Sequence, residues 1–178
     1  METAICTTIK SISRDEWEAC RSSRAGGDPF LSYDFFFLLE TSNSVGPKTG
    51  WIPFYIIFKE KNIVVGIIVS FLKNHSQGEY VFDHSWADAY ERSGGNYYPK
   101  LQVAVPFTPV SGERILVQSE YEDKVGEMIS SAKRLVEENN LSSLHITFCS
   151  KSFVRVAKKN NLLVREGIQY HWSNSCLL

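Results

Sequence analysis

The sequence predicts a mixed α/β domain, in which a sheet is flanked by helices and some strands are parallel. Apolar, β-branched runs at residues 54–58 and 63–72 predict a pair of strands. The last third instead alternates the periodicity of helices with that of strands. A crossover helix must lie across one face of the sheet, so the strands that it joins are expected to run in parallel.

Length, composition and charge limit the classes of function that the protein can have. The 178 residues are 43% hydrophobic, which is enough for one globular core, and 19 basic against 20 acidic residues leave a net charge of −1. This charge offers no broad field for a phosphate backbone, so a nucleic-acid partner would need a local basic patch. The apolar run 63–72 is about half of the ~20 residues that cross a bilayer as a helix. Since Met1–Lys10 has no export signal, a cytoplasmic protein is expected.

The cysteines have neither CxxC spacing nor a histidine at the spacing of a metal site. They are Cys6, Cys20, Cys149 and Cys176. The sequence therefore predicts reduced thiols, with no metal site and no disulfide framework.

Two helices are predicted in the first third. Ser13 and Glu16 have the spacing of a capping box, so a helix should start there. Residues 21–29 have the composition of a loop, and Ser32 then caps an aromatic helix. The polar link 59–62 between the two apolar runs suits a hairpin, which makes the strand pair antiparallel.

The last third predicts a helix over 121–139, introduced by a second capping box from Ser119 to Glu122. This helix should pack through three apolar residues spaced along one face, namely Met128, Ile129 and Leu135. A strand parallel to a neighbour follows at 144–148, and Ser150 begins a short helix that ends at Asn160–Asn161. The alternation of Ile168, Tyr170 and Trp172 predicts a final strand within 162–172.

Three motifs carry a resemblance to a known family. They are Tyr80–Asp83 (YVFD), Trp86–Arg92 (WADAYER) and Tyr97–Gly112 (YYPKLQVAVPFTPVSG). With these motifs and the predicted order of elements, the chain resembles a bacterial FemAB-like family of the GNAT acyltransferase superfold. The resemblance implies a GNAT-like mixed sheet flanked by helices and a transferase of peptidoglycan biosynthesis.

The resemblance also bears on domain organisation. Family members are about twice this length and continue past His171–Trp172 into a region rich in Lys and Arg. Residues 1–178 are therefore expected to be a single GNAT-like domain, the N-terminal half of a two-domain protein, with the second domain absent. Truncation of this kind puts the activity itself in question.

The start of helix 121–139 bears on the acyl donor. GNAT enzymes hold the pyrophosphate of acetyl-CoA on backbone N–H groups at this position. Here the turn contains Glu120, Glu122 and Asp123, which repel an anion, although plain stabilisation of the helix explains them equally well. The family implies either acyl-CoA or aminoacyl-tRNA as donor, and these carboxylates disfavour CoA bound in the usual way.

The acceptor site is predicted within residues 83–100, where polar and aromatic residues are dense. The candidates for removing a proton from an amine are Asp83, His84 and Asp88, provided that burial moves the pKa of one of them toward neutrality. Aromatic and basic residues of the same block are candidates for substrate binding, namely Trp86, Tyr90, Tyr97, Tyr98 and Lys100. In the alternative interpretation, the rings belong to the core and the charges form a solvated rim.

Two prolines in residues 105–112 predict a break or bulge in a strand. In GNAT folds such a bulge exposes backbone N–H groups to the acyl carbonyl, and Phe107 or Thr108 is the candidate for that place. A structural turn is the alternative. The remaining histidines, His75, His145 and His171, are isolated in the sequence and are interpreted as surface or core residues.

Three functions remain open at this stage. The first is transfer of an acyl or aminoacyl group to the amine of a small molecule or cell-wall precursor. A catalytically silent GNAT-like binding domain is the second. The third, RNA binding through Lys151, Arg155, Lys158 and Lys159, has less support because such residues commonly solvate a helix face. An unpaired edge at 162–172 would favour self-association or a partner chain.

Overall fold

A computed structural model describes residues 1–22 and 25–173 of the chain. It contains eight strands and five α-helices in these residues. The strands are β1 Glu2–Cys6, β2 Trp51–Pro53, β3 Tyr55–Glu60, β4 Ile63–Ile68, β5 Ser70–Lys73, β6 Lys100–Val103, β7 Ile115–Val117 and β8 Leu144–Ile146. The helices are α1 Arg14–Arg21, α2 Tyr33–Thr41, α3 His84–Arg92, α4 Val125–Glu138 and α5 Lys151–Lys159. The mixed α/β prediction is confirmed.

The strands form two four-stranded sheets. The first has the order β1-β3-β4-β7 and is antiparallel, and the second has the order β2-β5-β6-β8. In the second sheet β6 and β8 are parallel, with Leu101 opposite Leu144. The prediction of a parallel neighbour for the 144–148 strand is therefore correct.

A single residue links the two sheets at each of two points. Phe54 separates β2 from β3, and Val69 separates β4 from β5. The predicted strand 63–72 is thus two strands that belong to different sheets. Its apolar pattern continues through the bend because Val69 is itself buried, so the sequence does not mark the break.

Helices cover both sides of this sheet system. On one side α1 and α2 bury aromatic side chains, including Trp17 and Phe36, against Tyr55 of β3. On the other side α4 and α5 pack on alternate residues of the same strand, Ile56 and Phe58. This alternation is the period of two expected of a strand that is buried on both faces.

The predicted helix starts are partly correct. Both halves of the Ser13–Glu16 capping box are present, and Ser32 and Ser150 each cap a helix with the side-chain oxygen. The capping box predicted at Ser119 and Glu122 is wrong. Residues 119–124 instead wind as a 3₁₀ helix with Gln118 at the cap position, and the α-helix begins only at Val125. Helix α4 still packs through Met128, Ile129 and Leu135 as predicted.

The predicted strand within 162–172 is also wrong. A strand needs a hydrogen-bonding neighbour, and among the described residues the backbone of 163–173 has none. The segment is held instead by side chains: Gln169 donates to the carbonyl of Pro109, and the Arg165 guanidinium lies 5.1 Å from the ring of Trp86. The edge of the sheet is therefore β8 itself, and self-association through a 162–172 strand loses its structural basis.

Candidate functional site

One face of the second sheet is polar although it is covered. Register places Lys73 of β5 opposite Lys100 of β6, and Gln102 opposite His145 of β8, so these side chains share a face. The opposite face carries the intervening residues, including Leu72 and Leu101, and packs against α4 and α5. We call the side with Lys73, Lys100, Gln102 and His145 the polar face.

Lys100 is the centre of a hydrogen-bonded group on the polar face. Its Nζ lies 2.8 Å from Glu79 Oε2, 2.8 Å from Asp83 Oδ2 and 2.9 Å from Ser76 Oγ. Two hydroxyls complete the group, since Tyr97 donates to Asp83 at 2.8 Å and Tyr98 lies 2.8 Å from Ser76. We call this group the lysine cluster, with the members Ser76, Glu79, Asp83, Tyr97, Tyr98 and Lys100.

The cluster is covered by the chain between β5 and β6. Asp83 occupies the cap position of α3, and this helix lies over the group with its own aromatic residue, Tyr90, 6.2 Å from Tyr97. As a result Lys100 is fully buried, and only 2% of Asp83 and 4% of Glu79 remain exposed. An ammonium group so far from water requires its carboxylate partners.

The pKa values of the two carboxylates are shifted in opposite directions. Burial alone raises the pKa of Asp83, but the hydrogen bonds from Lys100 and Tyr97 and the nearby Ser76 hydroxyl outweigh it and lower the pKa to about 2. Burial also raises the pKa of Glu79, and there the attraction of Lys100 does not overcome it. Asp83 therefore stays ionised, whereas Glu79 is the better proton acceptor.

Each carboxylate keeps one oxygen without a partner. Among the buried side-chain atoms of the described residues, Glu79 Oε1 and Asp83 Oδ1 have no hydrogen-bond donor. A buried acceptor without a donor is costly, by about 1–3 kcal/mol, so such atoms commonly mark a place for a missing group. Two such oxygens beside one lysine suit a ligand that donates hydrogen bonds and carries positive charge.

Two basic groups next to the cluster are shifted toward their neutral forms. Burial lowers the pKa of Lys73 to about 8, against the attraction of Glu79, and its Nζ lies 3.8 Å from the ring centre of Trp51. Burial also lowers the pKa of His145 to about 4, with Lys100 adding to the effect, and its ring stands edge-on to Tyr97 at 5.9 Å. His145 is thus neutral at pH 7.

The structure brings together only part of the residues proposed from the sequence. Asp83, Tyr97, Tyr98 and Lys100 meet in the lysine cluster. The others from α3 are exposed and do not join the hydrogen-bonded group, namely His84, Trp86, Asp88 and Tyr90, although the ring of Tyr90 contacts Tyr97. Of the three proposed proton acceptors, Asp83 alone reaches the cluster, and its lowered pKa works against that role.

The segment between β6 and β7 forms a turn. The N–H of Thr108 donates to the carbonyl of Val105 at 3.4 Å, and its hydroxyl donates to that of Pro106 at 2.9 Å. Phe107 has a positive φ of 58° and packs 5.5 Å from the ring of Trp51. With these contacts the turn interpretation describes the geometry better than a bulge that presents the Thr108 N–H group to an acyl carbonyl.

Sequence reasoning missed half of the site. Lys73, Ser76, Glu79 and His145 were not proposed, and His145 was interpreted as isolated. A signal for His145 did exist, because His145 and Thr147 alternate with apolar residues on a predicted strand. A polar residue at every second position of a covered strand indicates a polar interior face.

A separate cavity of about 410 Å³ lies at the start of the Ser119–Lys124 turn. It is lined by Ala19, Ser22, Gln118, Ser119, Glu120 and Glu122. This is the position that the GNAT resemblance assigns to a pyrophosphate. Carboxylates in its lining make the cavity unfavourable for an anion. The position of the cavity thus suggests a pyrophosphate site, whereas its charge does not.

The described residues contain no cluster of His, Cys, Asp and Glu side chains that is suited to a metal ion. Within the same residues no helix is both long and apolar enough to span a bilayer.

The fold resembles those of solved acetyltransferases. A ribosomal-protein-alanine N-acetyltransferase from Brucella melitensis biovar Abortus 2308 matches with a TM-score of 0.52 at 10% identity, over 97% of this chain and 99% of the other. The aminoglycoside N-acetyltransferase AAC(6')-Iy, solved with CoA, gives 0.55 at 12% identity over 97% and 95%. AAC(6')-IG from Acinetobacter haemolyticus gives 0.54 at 12% over 98% and 99%. These likenesses establish the GNAT fold.

The sequence itself decides the family. Residues 8–177 match the FemAB-like family, which is described as peptidoglycan biosynthesis/recognition. The chain belongs to the FemAB-like family. No curated protein sequence matches the chain. For this FemAB-like protein, the predicted family and fold are both confirmed.

Proposed function

We propose that this FemAB-like protein is an N-acyltransferase that acts on an amine of a peptidoglycan precursor, with the lysine cluster as its acceptor site. The family description and the GNAT fold support the reaction class. The observation that carries the proposal is the pair of unpartnered carboxylate oxygens, Glu79 Oε1 and Asp83 Oδ1, on the polar face. An ammonium group supplies the donors and the positive charge that these two oxygens lack.

The opposite pKa shifts assign different roles to the two carboxylates. Ionised Asp83 holds the acceptor, and Glu79 takes one proton from its ammonium group to leave a neutral amine. The nitrogen lone pair then forms a C–N bond with the acyl carbon of the donor. As the bond from that carbon to the leaving oxygen or sulfur breaks, the leaving atom takes up the second proton. The products are an amide, the free donor alcohol or thiol, and protonated Glu79.

Access to the cluster needs movement of its cover. Tyr97, Tyr98 and α3 separate the two carboxylates from solvent, so the acceptor enters when α3 shifts outward. The exposed rings of Trp86 and Tyr90 on α3 then offer flat surfaces for the sugar or peptide part of a precursor. His84 and Asp88 are also exposed on this helix and belong to this outer rim.

The donor is proposed to be aminoacyl-tRNA rather than acyl-CoA. Glu120 lines the cavity where CoA would place its pyrophosphate, and the charge of this carboxylate supports a donor held elsewhere. We expect no binding of CoA or acetyl-CoA at micromolar concentration in titration calorimetry. A clear isotherm that a Glu120→Gln/Glu122→Gln variant strengthens would show that CoA uses this cavity, and acyl-CoA would then replace tRNA in the proposal.

Turnover tests the reaction class. The purified chain is incubated with a muramyl pentapeptide that carries a free lysine ε-amine, together with either acetyl-CoA or a mixture of aminoacyl-tRNAs. Mass spectrometry then identifies any product. We expect an added aminoacyl group on the ε-amine and no product when that amine is blocked by acetylation. Addition to a hydroxyl group, or no product from either donor, would contradict the proposal.

A binding domain without turnover is the second candidate. The complete burial of Lys100 favours it, because a closed cluster resembles a structural ion network as well as a site awaiting a ligand. In that case the pentapeptide binds to the protein but is recovered unchanged with every donor.

A further inference from the structure

The charge of the protein is unevenly distributed along the chain. Five of its 19 basic residues but only one of its 20 acidic residues lie within residues 151–173. This gives the segment a net charge of +4 and leaves −5 for the rest of the chain. The five cations are Lys151, Arg155, Lys158, Lys159 and Arg165. A split of this size within an otherwise neutral protein indicates an anionic partner for the segment.

Helix α5 presents most of these cations on one side. Lys151, Arg155 and Lys158 follow one another at intervals of four and three residues and are exposed, while Phe153 and Ala157 are buried in the core behind them. In residues 1–22 and 25–173, no carboxylate lies within ion-pairing distance of any of the five cations. The four cations of α5 are therefore directed to solvent, while Arg165 lies over the ring of Trp86.

The residues after α5 expose large apolar side chains. All of 163–173 is exposed, and the exposed fractions are 100% for Leu163, 87% for Ile168, 93% for Tyr170 and 84% for Trp172. Exposure of single apolar residues is common, but four within ten positions of one segment indicate a contact surface. No described residue covers these four side chains.

We propose that residues 151–173 dock the protein on an anionic lipid surface. The cations of α5 supply attraction to the head groups, and the exposed aliphatic and aromatic side chains enter the interface. Trp172 and Tyr170 are residue types that favour the boundary between head groups and acyl chains. This docking is peripheral, and it does not depend on the proposed transferase function.

Other occupants fit the segment less well. Nucleic acid would use the cations and could stack on Tyr170 and Trp172, but it leaves Leu163 and Ile168 in water. A second copy docked through the same segment would bring two surfaces of +4 together. Lipid satisfies the cations and the aliphatic side chains at once.

Sedimentation with vesicles tests the proposal on the full chain. Vesicles of phosphatidylcholine alone are compared with vesicles that contain phosphatidylglycerol, at low and high salt. We expect binding only to the anionic vesicles, with loss of binding at high salt. In the variant Arg155→Gln/Lys158→Gln/Lys159→Gln, partitioning should fall about 100-fold, because each cation near such a surface contributes a factor of about five.

Matched variants test whether vesicle binding depends on where the positive charges lie and on the exposed apolar side chains, rather than on the total charge of the protein. The triple variant Lys10→Gln/Lys48→Gln/Lys61→Gln removes the same charge from other exposed sites and should bind like the parent protein. In a Trp86→Phe background the only exposed tryptophan of the described residues is Trp172, since Trp17 and Trp51 are buried, so its emission should shift to the blue on anionic vesicles. The variant Ile168→Ser/Tyr170→Ser/Trp172→Ser should lose binding at unchanged charge.

Three results would overturn the proposal. The first is equal binding to both kinds of vesicle. The second is an equal loss of binding in the Arg155/Lys158/Lys159 variant and in the Lys10/Lys48/Lys61 variant. The third is an absence of binding to the anionic vesicles. In that case tRNA binding that the Arg155/Lys158/Lys159 variant weakens, or a dimer in light scattering that the Ile168/Tyr170/Trp172 variant dissociates, would identify the occupant instead.

Discussion

The two faces of the second sheet are both buried, but one is lined by apolar side chains and the other by paired polar groups. Leu101 is buried against α4 and α5, while its neighbour Lys100 is equally buried on the other side among two carboxylates and three hydroxyls. Of two consecutive residues in one strand, one thus packs in the apolar core and the other forms ion pairs. Burial by itself does not identify the core, because what distinguishes the faces is whether the buried groups are apolar or paired.

Substitutions on the polar face are expected to lower the free energy of unfolding more than substitutions on the apolar face. An apolar side chain that is removed leaves a cavity, but an ion that loses its partner leaves a charge far from water. Residues 100 and 101 therefore provide a direct comparison of these two penalties within a single strand.

The largest effect is expected for Lys100→Met. This change leaves Glu79 and Asp83 buried together without their cation, and the free energy of unfolding should fall by about 3–5 kcal/mol. Urea denaturation followed by circular dichroism measures it. The matched variant Lys124→Met removes an exposed lysine that pairs with Glu127, and its stability should be unchanged.

A combined variant checks the cause of that loss. Replacing both carboxylates as well, in Lys100→Met/Glu79→Gln/Asp83→Asn, should recover part of the lost stability because no unpaired charge remains. If the triple variant is less stable than Lys100→Met alone, unpaired charge is not the reason for the loss.

Leu101→Ala tests the apolar face and should have a somewhat smaller effect. The substitution opens a cavity beneath α4 and α5, at a cost of about 3 kcal/mol. The same denaturation experiment applies, and a loss greater than that of Lys100→Met would reverse the ranking of the two faces.

His145 makes the stability of the polar face depend on pH. Its pKa is about 4 in the folded protein and about 6.5 when unfolded, so the unfolded state takes up a proton first as the pH falls. This contribution is fully present above pH 6.5 and is lost as the pH falls through 4, on the order of 3 kcal/mol. Melting temperatures from pH 7.5 to 4.5 should decline less steeply for His145→Gln than for the parent protein. Parallel curves would contradict the assignment.

The smallest effect is expected at the cap of α5. The hydroxyl of Ser150 accepts from the backbone N–H of Phe153, and Ser150→Ala should cost about 1 kcal/mol. Ser130→Ala, at an exposed position inside α4 and away from any cap, serves as the control, with thermal unfolding as the measurement. Equal losses in both variants would show that the cap has no specific role in holding α5 on the apolar face.

The sequence predicts best what depends on near neighbours. The Ser13–Glu16 capping box and the packing face of α4 follow from spacings of three and four residues, and both are correct. The break at Val69 and the lack of backbone pairing in 163–173 depend on which strands lie adjacent, which local pattern does not encode.

The candidate site divides in the same way. Asp83, Tyr97, Tyr98 and Lys100 come from one dense block of sequence and were proposed as site residues. Glu79 and His145 join them only through strand register and the folding of the 74–83 segment over the sheet. Charge neutralisation at Asp83 likewise needs the position of Lys100, so its lowered pKa was not predictable.

Binding of an amine ligand tests the central claim most directly and needs no donor. The muramyl pentapeptide with a free lysine ε-amine is titrated into ¹⁵N-labelled protein, alongside its N-acetylated form. The account predicts that the free amine binds at least about tenfold more tightly, as expected for a charged pair worth about 1.5–3 kcal/mol. Shifts should centre on Glu79, Asp83 and α3, and the preference should vanish in Asp83→Asn, fall in Glu79→Gln and persist in Glu138→Gln. Equal affinity for both ligands, or shifts centred on the Glu120 cavity, would contradict it.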